Sequence, residues 1–195
     1  MTEENKDFEK VQEQIKKCRL CRLCELGARQ AVPGEGSPSA DVMFIGEAPG
    51  RDEDEQGRPF VGAAGKVLTS MLEMAGYKRE DVFITNVVKH RPPQNRDPLP
   101  DEIEACWPYL EAQVKAIKPK LIVLLGRHAM GRFLPGLKIS QVHGQAKRAK
   151  GIWSEKQVYF PVYHPASALY NPGLREVLIR DMKKIPILLK KISNE

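Results

Sequence analysis

The segment KLIVLLG, residues 120–126, leads directly into RHAMGRFL, residues 127–134. The first is a nearly continuous apolar run, which is typical of a strand buried on both faces of a sheet. The second has apolar residues at helical spacing, so the pattern changes from strand to helix at Gly126. A buried strand followed at once by a helix is the repeating unit of parallel α/β folds.

Three further apolar runs have the same character: DVMFIG at 41–46, DVFITNVV at 81–88 and QVYFPVY at 157–163. Helical patterns accompany them at 7–17, 63–76, 100–118 and 174–192, the last with a kink expected at Pro186. Together these elements predict an α/β fold, a three-layer α/β/α sandwich with a four-stranded parallel sheet. The length favours a single domain over residues 1–195.

Composition and charge narrow the classes of function. No stretch approaches the ~18 apolar residues of a membrane span. The start, MTEENKDFEKVQ, is too polar for a secretory signal, so we expect a cytoplasmic protein without a membrane partner. The excess positive charge lies in the C-terminal part, where 11 Lys and Arg stand against 4 Asp and Glu from Lys138 onward. This surface indicates either a polyanion partner or simply a soluble basic protein.

The glycine-rich loop GEAPGRDEDEQGRPFVGAAG, residues 46–65, matches neither standard phosphate-binding loop. Val67 stands where a P-loop needs Ser or Thr, and a proline stands where a dinucleotide loop begins its helix. The four acids at 52–55 favour a solvated turn over a metal site. Phe60 is a candidate stacking platform for a base, with a role in the core as the alternative.

Polar residues come just after each of the four predicted strands: Glu47, Asn86, Arg127 with His128, and His164. Because the carboxyl ends of parallel strands meet at one edge of a sheet, ligands bind there. We therefore expect these side chains to surround a common site.

Four motifs in sequence order carry a family resemblance: a leading Cys pair with AVPGEG, GEAPG…GRPFVGAAG, TNVVKHRPPQNRDP and YHPASALYNPGLR. They resemble the family 4 uracil-DNA glycosylases, the iron–sulfur-containing branch of the uracil-DNA glycosylase superfamily, from about Cys18 to Lys184. The resemblance implies that uracil is flipped out of single- or double-stranded DNA and its N-glycosidic bond hydrolysed. No amine is placed for lyase chemistry, so the expected product is an abasic site.

The resemblance also implies roles for individual residues. Phe60 matches the stacking aromatic, and the amide of Asn86 would donate to O4 of uracil and accept from N3–H. His164, kept neutral, would donate to O2 of the departing uracil. Glu47 would orient the attacking water and stabilise the cationic sugar, while backbone N–H groups of Glu47 and Ala48 would contact the base.

The resemblance implies further roles around the site. Glu53 would block the methyl group of thymine, and Asn95 would brace the pocket. Leu169 or Tyr170 would enter the DNA where the base leaves, with ordinary packing on the last helix as an equal alternative. We expect a monomer, with a sliding clamp as a further candidate partner.

The cysteines indicate a metal site, because Cys-x-x-Cys spacing in a cytoplasmic protein favours metal over a disulfide. The family resemblance implies a 4Fe-4S cluster on Cys18, Cys21 and Cys106, but His90 stands where the fourth cysteine is expected. Either His90 ligates iron or Cys24 replaces it, and we favour His90. Zinc on the same residues is the alternative metal. In each case the metal would staple the N-terminal segment to the helix of Cys106.

Two rival functions remain at this point. One is a sister-branch glycosylase that accepts a broader range of deaminated bases. The other is a non-catalytic, metal-containing DNA-binding protein of the same fold.

Overall fold

A mixed sheet of six strands forms the centre of the computed structural model, which describes residues 3–194. The strand order is β1-β3-β2-β4-β6-β5. The inner strands β3, β2, β4 and β6 are parallel, and each edge strand is antiparallel to its neighbour. The strands are β1 Glu35–Gly36, β2 Val42–Gly46, β3 Phe83–Asn86, β4 Leu121–Leu125, β5 Lys147–Ala149 and β6 Gln157–Val162.

The α/β class predicted from the sequence is confirmed, and each of the four apolar runs contains a strand. The sheet itself has six strands and is mixed, so the expectation of four parallel strands did not describe it fully. The two additional strands are only two and three residues long and carry half-buried or exposed residues. Because they lack an apolar run, sequence pattern gives no signal for them.

Helices cover both faces of the sheet. On one face, Met43 and Ile45 pack in a core cluster with α1, α4 and α5. On the other, Val42 and Phe44 pack with α3, α8 and α9. The α-helices are α1 Glu3–Lys16, α2 Arg51–Gln56, α3 Ala63–Met74, α4 Pro100–Ile117, α5 Arg127–Phe133, α6 Ile139–Val142, α7 Ser167–Tyr170, α8 Pro172–Met182 and α9 Ile185–Ser193.

The C-terminal helical pattern forms two helices rather than one kinked helix. Asn171 caps α8, since its side-chain oxygen accepts from the N–H groups of Gly173 at 3.0 Å and Leu174 at 3.3 Å. Pro186 lies in the first turn of α9, where its missing N–H costs no helical hydrogen bond. Pro186 therefore begins a helix. Within residues 3–194, no helix is both long and apolar enough to cross a membrane.

The acidic residues 52–55 do not form the solvated turn expected from the sequence. It forms most of the short helix α2. Asp54 is buried, and its carboxylate accepts from the N–H of Arg29 at 2.9 Å. Glu53 is the third residue of α2 and accepts from the N–H of Gly50, as in a capping box. The carboxylates of Glu53 and Asp54 thus bind backbone N–H groups of the loops that precede α2 in the chain.

Candidate active site

A cavity of about 380 Å³ opens at the carboxyl edge of the parallel strands. It is large enough for a nucleobase, and most of its lining residues lie on loops that follow β2, β3 and β6. The cavity brings together seven of the residues selected from the sequence: Glu47, Ala48, Glu53, Phe60, Asn86, Asn95 and His164. Leu169 is not among its lining residues.

Phe60 forms one wall of this cavity in a strained backbone conformation, with φ of +51°. Its ring centroid lies 5.8 Å from that of His164. The Arg79 guanidinium donates to the carbonyl oxygens of Pro59 at 2.7 Å and Phe60 at 3.1 Å, which fixes this turn. Sequence reasoning missed Arg79, because it comes nineteen residues later in a turn with no motif of its own.

Glu53 secures the same loop from the other side. One of its carboxylate oxygens accepts from the N–H groups of Val61 at 2.9 Å and Gly62 at 2.8 Å, and the other accepts from Gly50 at 3.1 Å. Both oxygens are therefore engaged by backbone. The thymine-excluding role expected for Glu53 stays a prediction, and its visible contacts position the Phe60 loop.

Asn86 is 1% exposed at the end of β3, and its side-chain oxygen has no hydrogen-bond partner in the described structure. Buried polar atoms without partners are rare in folded proteins, because each one costs about 1–3 kcal/mol. An unpaired acceptor that faces a cavity is what recognition of an N–H group on a ligand requires.

The backbone of Asn86 is held by a buried lysine that sequence reasoning did not single out. The Lys89 ammonium is fully buried and donates to the Asn86 carbonyl at 2.7 Å, to Thr85 Oγ1 at 2.8 Å and to Gln113 Oε1 at 2.8 Å. Burial lowers the pKa of Lys89 to about 7. This network ties the end of β3 to α4.

His164 presents one ring nitrogen as a donor. The Ala166 N–H donates to Nδ1 at 3.2 Å, which assigns the proton of the neutral imidazole to Nε2. Burial lowers the pKa of His164 to about 4, a shift that Glu53 opposes and His128 assists. At neutral pH the ring is therefore an uncharged hydrogen-bond donor.

Glu47 separates the base-sized cavity from a second cavity of about 240 Å³, because it lines both. Burial and, to a lesser degree, Asp97 raise the pKa of Glu47 to about 7, against the opposing charges of Arg127 and Arg132. His128 Nδ1 lies 3.4 Å from Glu47 Oε1, and His128 Nε2 lies 3.4 Å from Asp97 Oδ2.

Glu47, Asp97 and His128 place one ligand atom each within 4.8 Å of one another, which is close enough to hold a divalent cation. The two arginines beside them oppose a cation, and Arg127 Nε donates to His128 Nε2 at 3.0 Å. The arrangement therefore suits a hydrogen-bonded carboxylate better than a metal. Asp97 was missed in the sequence because it precedes α4 without any motif of its own.

The remaining predicted residues lie around this centre. Asn95 has a φ of +55° and accepts from Arg91 Nε at 2.7 Å, so it shapes the loop between β3 and α4. On α7, just past His164, Leu169 is 42% exposed and Tyr170 is 87% exposed. These two apolar side chains project from the protein surface beside the site.

The four cysteines are free thiols, and two of them, Cys21 and Cys106, form one hydrogen-bonded group with the backbone N–H of Lys89. The Cys106 thiol donates to the Cys21 sulfur, which lowers the pKa of Cys21 to about 6 and raises that of Cys106. The Lys89 N–H donates to Cys106 Sγ at 3.4 Å. The Cys24 thiol instead donates to the Cys21 carbonyl at 3.0 Å.

The environment of the His90 side chain tests whether a metal group fits this region. Its side chain is fully buried, and neither ring nitrogen has a hydrogen-bond partner in the described structure. Burial lowers its pKa, as does the charge of Arg19 next to Cys18, so the ring is neutral. A buried neutral imidazole with unpaired nitrogens fits a ligand position.

The spacing of the donors separates the two candidate metals. Among the described residues, no three cysteine or histidine donors of this region lie mutually within 4.8 Å. A single tetrahedral zinc ion would hold its sulfur ligands about 3.8 Å apart. Apart from the hydrogen-bonded pair Cys21 and Cys106, the described donors are thus not gathered around one point as a single zinc ion requires, whereas an iron–sulfur cluster binds each ligand through a different iron.

Comparison with known proteins gives a consistent result. The model of the uracil DNA glycosylase superfamily matches residues 33–184. The chain is 51% identical over 187 residues to the type-4 uracil-DNA glycosylase of Sulfurisphaera tokodaii, covering 91% of this chain and 83% of that protein. It is 47% identical over 186 residues to the type-4 uracil-DNA glycosylase of Archaeoglobus fulgidus, covering 91% and 92%. Identity to the type-5 uracil-DNA glycosylase of Pyrobaculum aerophilum is 32% over 173 residues, covering 76% and 74%.

Proposed function

The chain belongs to the uracil-DNA glycosylase superfamily, and we infer that it is a type-4 uracil-DNA glycosylase that acts in DNA repair. The observation that carries this inference is the buried, unpartnered side-chain oxygen of Asn86 in a cavity of nucleobase size. The enzyme hydrolyses the bond between uracil and deoxyribose, and we propose that it leaves an abasic site.

Recognition of the extruded base is assigned to Phe60 and Asn86. The Phe60 ring stacks on uracil, and the Asn86 side-chain oxygen accepts from N3–H while its amide nitrogen donates to O4. Cytosine has an unprotonated N3 and an amino group at C4, so it presents the opposite pattern to this amide. Discrimination follows, because the wrong base leaves buried polar atoms unpaired.

Departure of the base is assisted by His164. Negative charge collects on O2 of uracil as the glycosidic bond breaks, and the proton on Nε2 of the neutral ring is available to it. The neutral imidazole stabilises this anion by donating a hydrogen bond, and its proton does not have to be transferred to the base. Backbone N–H groups of Glu47 and Ala48, which line the cavity, are candidates for further contacts with the base.

Attack on the sugar is assigned to a water molecule oriented by Glu47. As a carboxylate, Glu47 accepts a proton from this water and stabilises positive charge on the sugar ring. Its pKa of about 7 means that the ionised form becomes dominant only above neutral pH. Glu47 is therefore the group whose protonation limits the rate on the acid side.

DNA is the macromolecular partner, and contacts outside the cavity follow from exposure and charge. Leu169 or Tyr170 would fill the space left by the extruded nucleotide, since both project beside the cavity. Arg91 lies on the loop that borders the cavity and is suited to phosphates, whereas the Arg96 guanidinium is engaged by the buried Glu102 carboxylate. Asn95 would brace this loop. A monomer, activity on both single- and double-stranded DNA, and a sliding-clamp partner stay predictions.

An iron–sulfur cluster of the 4Fe-4S type fits Cys18, Cys21, Cys106 and His90. We favour His90 over Cys24, because the Cys24 thiol already donates to a carbonyl whereas His90 has nothing else to bind. Such a cluster supplies structure and takes no part in bond cleavage. These residues would connect the N-terminal segment, α4 and the loop after β3.

The decisive experiment uses labelled oligonucleotides that contain one uracil, hypoxanthine or thymine. We expect cleavage after alkali only for the uracil strand, and Asn86→Ala should abolish it. Release of hypoxanthine at a similar rate would favour the sister-branch alternative. DNA binding without any base release would favour the non-catalytic one.

A further inference from the structure

The second cavity, of about 240 Å³, lies on the far side of Glu47 from the base and has no role in the mechanism above. Besides Glu47, its lining includes three apolar residues and three basic residues of α5: Val87, Pro98, Ile103, Arg127, His128 and Arg132. The Glu47 side chain is 26% exposed and is the one wall that the two cavities share. Groups that line the second cavity can therefore contact the Glu47 carboxylate from the side opposite the base.

The contact with Arg127 favours one tautomer of His128, in opposition to the Asp97 carboxylate, which lies 3.4 Å from Nε2. Arg127 Nε is a permanent donor, and it donates to His128 Nε2 at 3.0 Å, so Nε2 carries a lone pair. The proton of the neutral ring is consequently on Nδ1. Nδ1 is the atom that lies 3.4 Å from Glu47 Oε1.

We propose that His128 is a positioning residue for the catalytic carboxylate: its Nδ1–H holds one oxygen of Glu47 and leaves the other for the attacking water. Arg127 supports this contact indirectly, because its hydrogen bond to Nε2 keeps the His128 ring in this tautomer. The proposal rests on the role of Glu47 given above. The terminal torsion angle of a glutamate has a broad distribution, so the Glu47 carboxylate would rotate without such a donor.

Other charged groups also face Glu47, and they must be distinguished from His128. Asp97 approaches from the loop before α4, and Arg132 approaches from the same helix as His128. Across the base cavity lie Glu53, Arg96 and His164. Of these groups, His128 is the one that places a ring nitrogen 3.4 Å from a carboxylate oxygen of Glu47.

The test uses three substitutions at one half-exposed position. His128→Ala removes the donor. His128→Asn restores an N–H near the position of Nδ1, and His128→Gln places its amide near Nε2 instead. Single-turnover rates of uracil release are measured with saturating enzyme between pH 5.5 and 9, together with DNA affinity and the thermal midpoint.

We expect His128→Ala to lower the rate at pH 7 by about tenfold or more. The acid-side midpoint should also rise, because the ionised carboxylate loses a donor. His128→Asn should recover most of the rate and the midpoint, whereas His128→Gln should not. DNA affinity and the thermal midpoint should change little. His143→Ala, a histidine substitution outside both cavities, is the matched control and should leave the pH midpoint unchanged.

A wild-type rate and midpoint in His128→Ala would overturn the proposal, as would rescue by Gln but not by Asn. Glu47→Gln separates this failure from failure of the proposed mechanism. If Glu47→Gln is as active as the wild type, the role of Glu47 is wrong and the proposal loses its premise. If Glu47→Gln is impaired and His128→Ala adds no further loss to it, the two residues act together as proposed.

Discussion

Gly46 and Asn86 are register partners at the carboxyl ends of β2 and β3, and no side chain fits between them. A β-carbon on Gly46 would overlap the side-chain oxygen of Asn86 and would lie 2.6 Å from Cζ of Phe60. The absence of this single carbon therefore lets the stacking ring and the base-reading amide border the same cavity.

Gly46→Ala should close the cavity without unfolding the protein. The methyl group must displace either the Phe60 ring or the Asn86 amide, and a displacement of about 1 Å at a reacting site costs about 100-fold in rate. We expect a loss of this size in kcat/KM for uracil release, with retained DNA binding and a normal circular dichroism spectrum. A fully active Gly46→Ala protein would show that the ring and the amide are not both required in their present positions.

Arg79→Met should weaken the Phe60 platform. It removes both donors to the carbonyls of Pro59 and Phe60, so the strained turn can relax and base stacking is lost. The expected effect is about a tenfold weaker affinity for uracil, measured through product inhibition, since stacking contributes about 1–3 kcal/mol. Arg58→Met is the matched control, because Arg58 shares the ion pair with Glu35 but touches neither carbonyl. Equal effects of the two substitutions would contradict this role.

Activity should rise with pH through about 7 and show no limb from His164 near neutrality. The Glu47 pKa of about 7 sets the rise, because the carboxylate is the active form. His164, with a pKa of about 4, is already neutral over this range and contributes no limb. Single-turnover rates at saturating enzyme measure the profile. Activity that falls between pH 6 and 8 would exclude ionised Glu47 as the group that orients water.

Glu47→Gln should stabilise the folded protein at alkaline pH while it reduces activity. The folded-state pKa of Glu47 lies above its unfolded value of 4.5, so the folded protein holds this proton more tightly. The free energy of unfolding therefore decreases as pH rises from about 4.5 to about 7, and the penalty is complete above that range. We expect a gain of roughly 1 to 3 kcal/mol at pH 8 and little at pH 4, measured by urea unfolding. A gain of equal size at both pH values would contradict the ionisation argument.

His90→Ala should release the iron–sulfur cluster, whereas Cys24→Ser should retain it. The first substitution removes a donor with no other partner, and the second removes a thiol that is bonded to a carbonyl. Iron and sulfide content and the visible absorption of the purified proteins give the readout. His90→Cys should keep the cluster and shift its spectrum and potential, because thiolate replaces imidazole. Loss of the cluster in Cys24→Ser with retention in His90→Ala would reverse the assignment.

Much of the fold could be predicted because the parallel strands are buried on both faces. Runs such as LIVLL at β4 have no polar residue, and polar residues with a possible role follow directly after them. The same logic selected Asn86 and His164, since Asn86 is the last residue of β3 and His164 comes two residues after the end of β6. The edge strands β1 and β5 carry no comparable pattern, and their pairing depends on neighbours distant in the chain.

The supporting residues of the site could not be predicted in the same way. Arg79, Lys89 and Asp97 act through contacts that depend on the folded chain, and isolated charged residues have no spacing rule. Glu53 makes only half of a capping box, because its carboxylate accepts from the N–H of Gly50 while Gly50 has no side chain to complete the motif. The sequence pattern therefore gives no signal for the structural role of Glu53 at the start of α2.

The Lys89 network bears on attempts to redesign base preference. The carbonyl of Asn86 is fixed by the Lys89 ammonium, which is itself held by Thr85 and Gln113. The main chain at position 86 is thus anchored independently of the side chain that it carries. A laboratory-evolution library can therefore vary the side chain at this position while its backbone stays in place, provided that Lys89 is left unchanged.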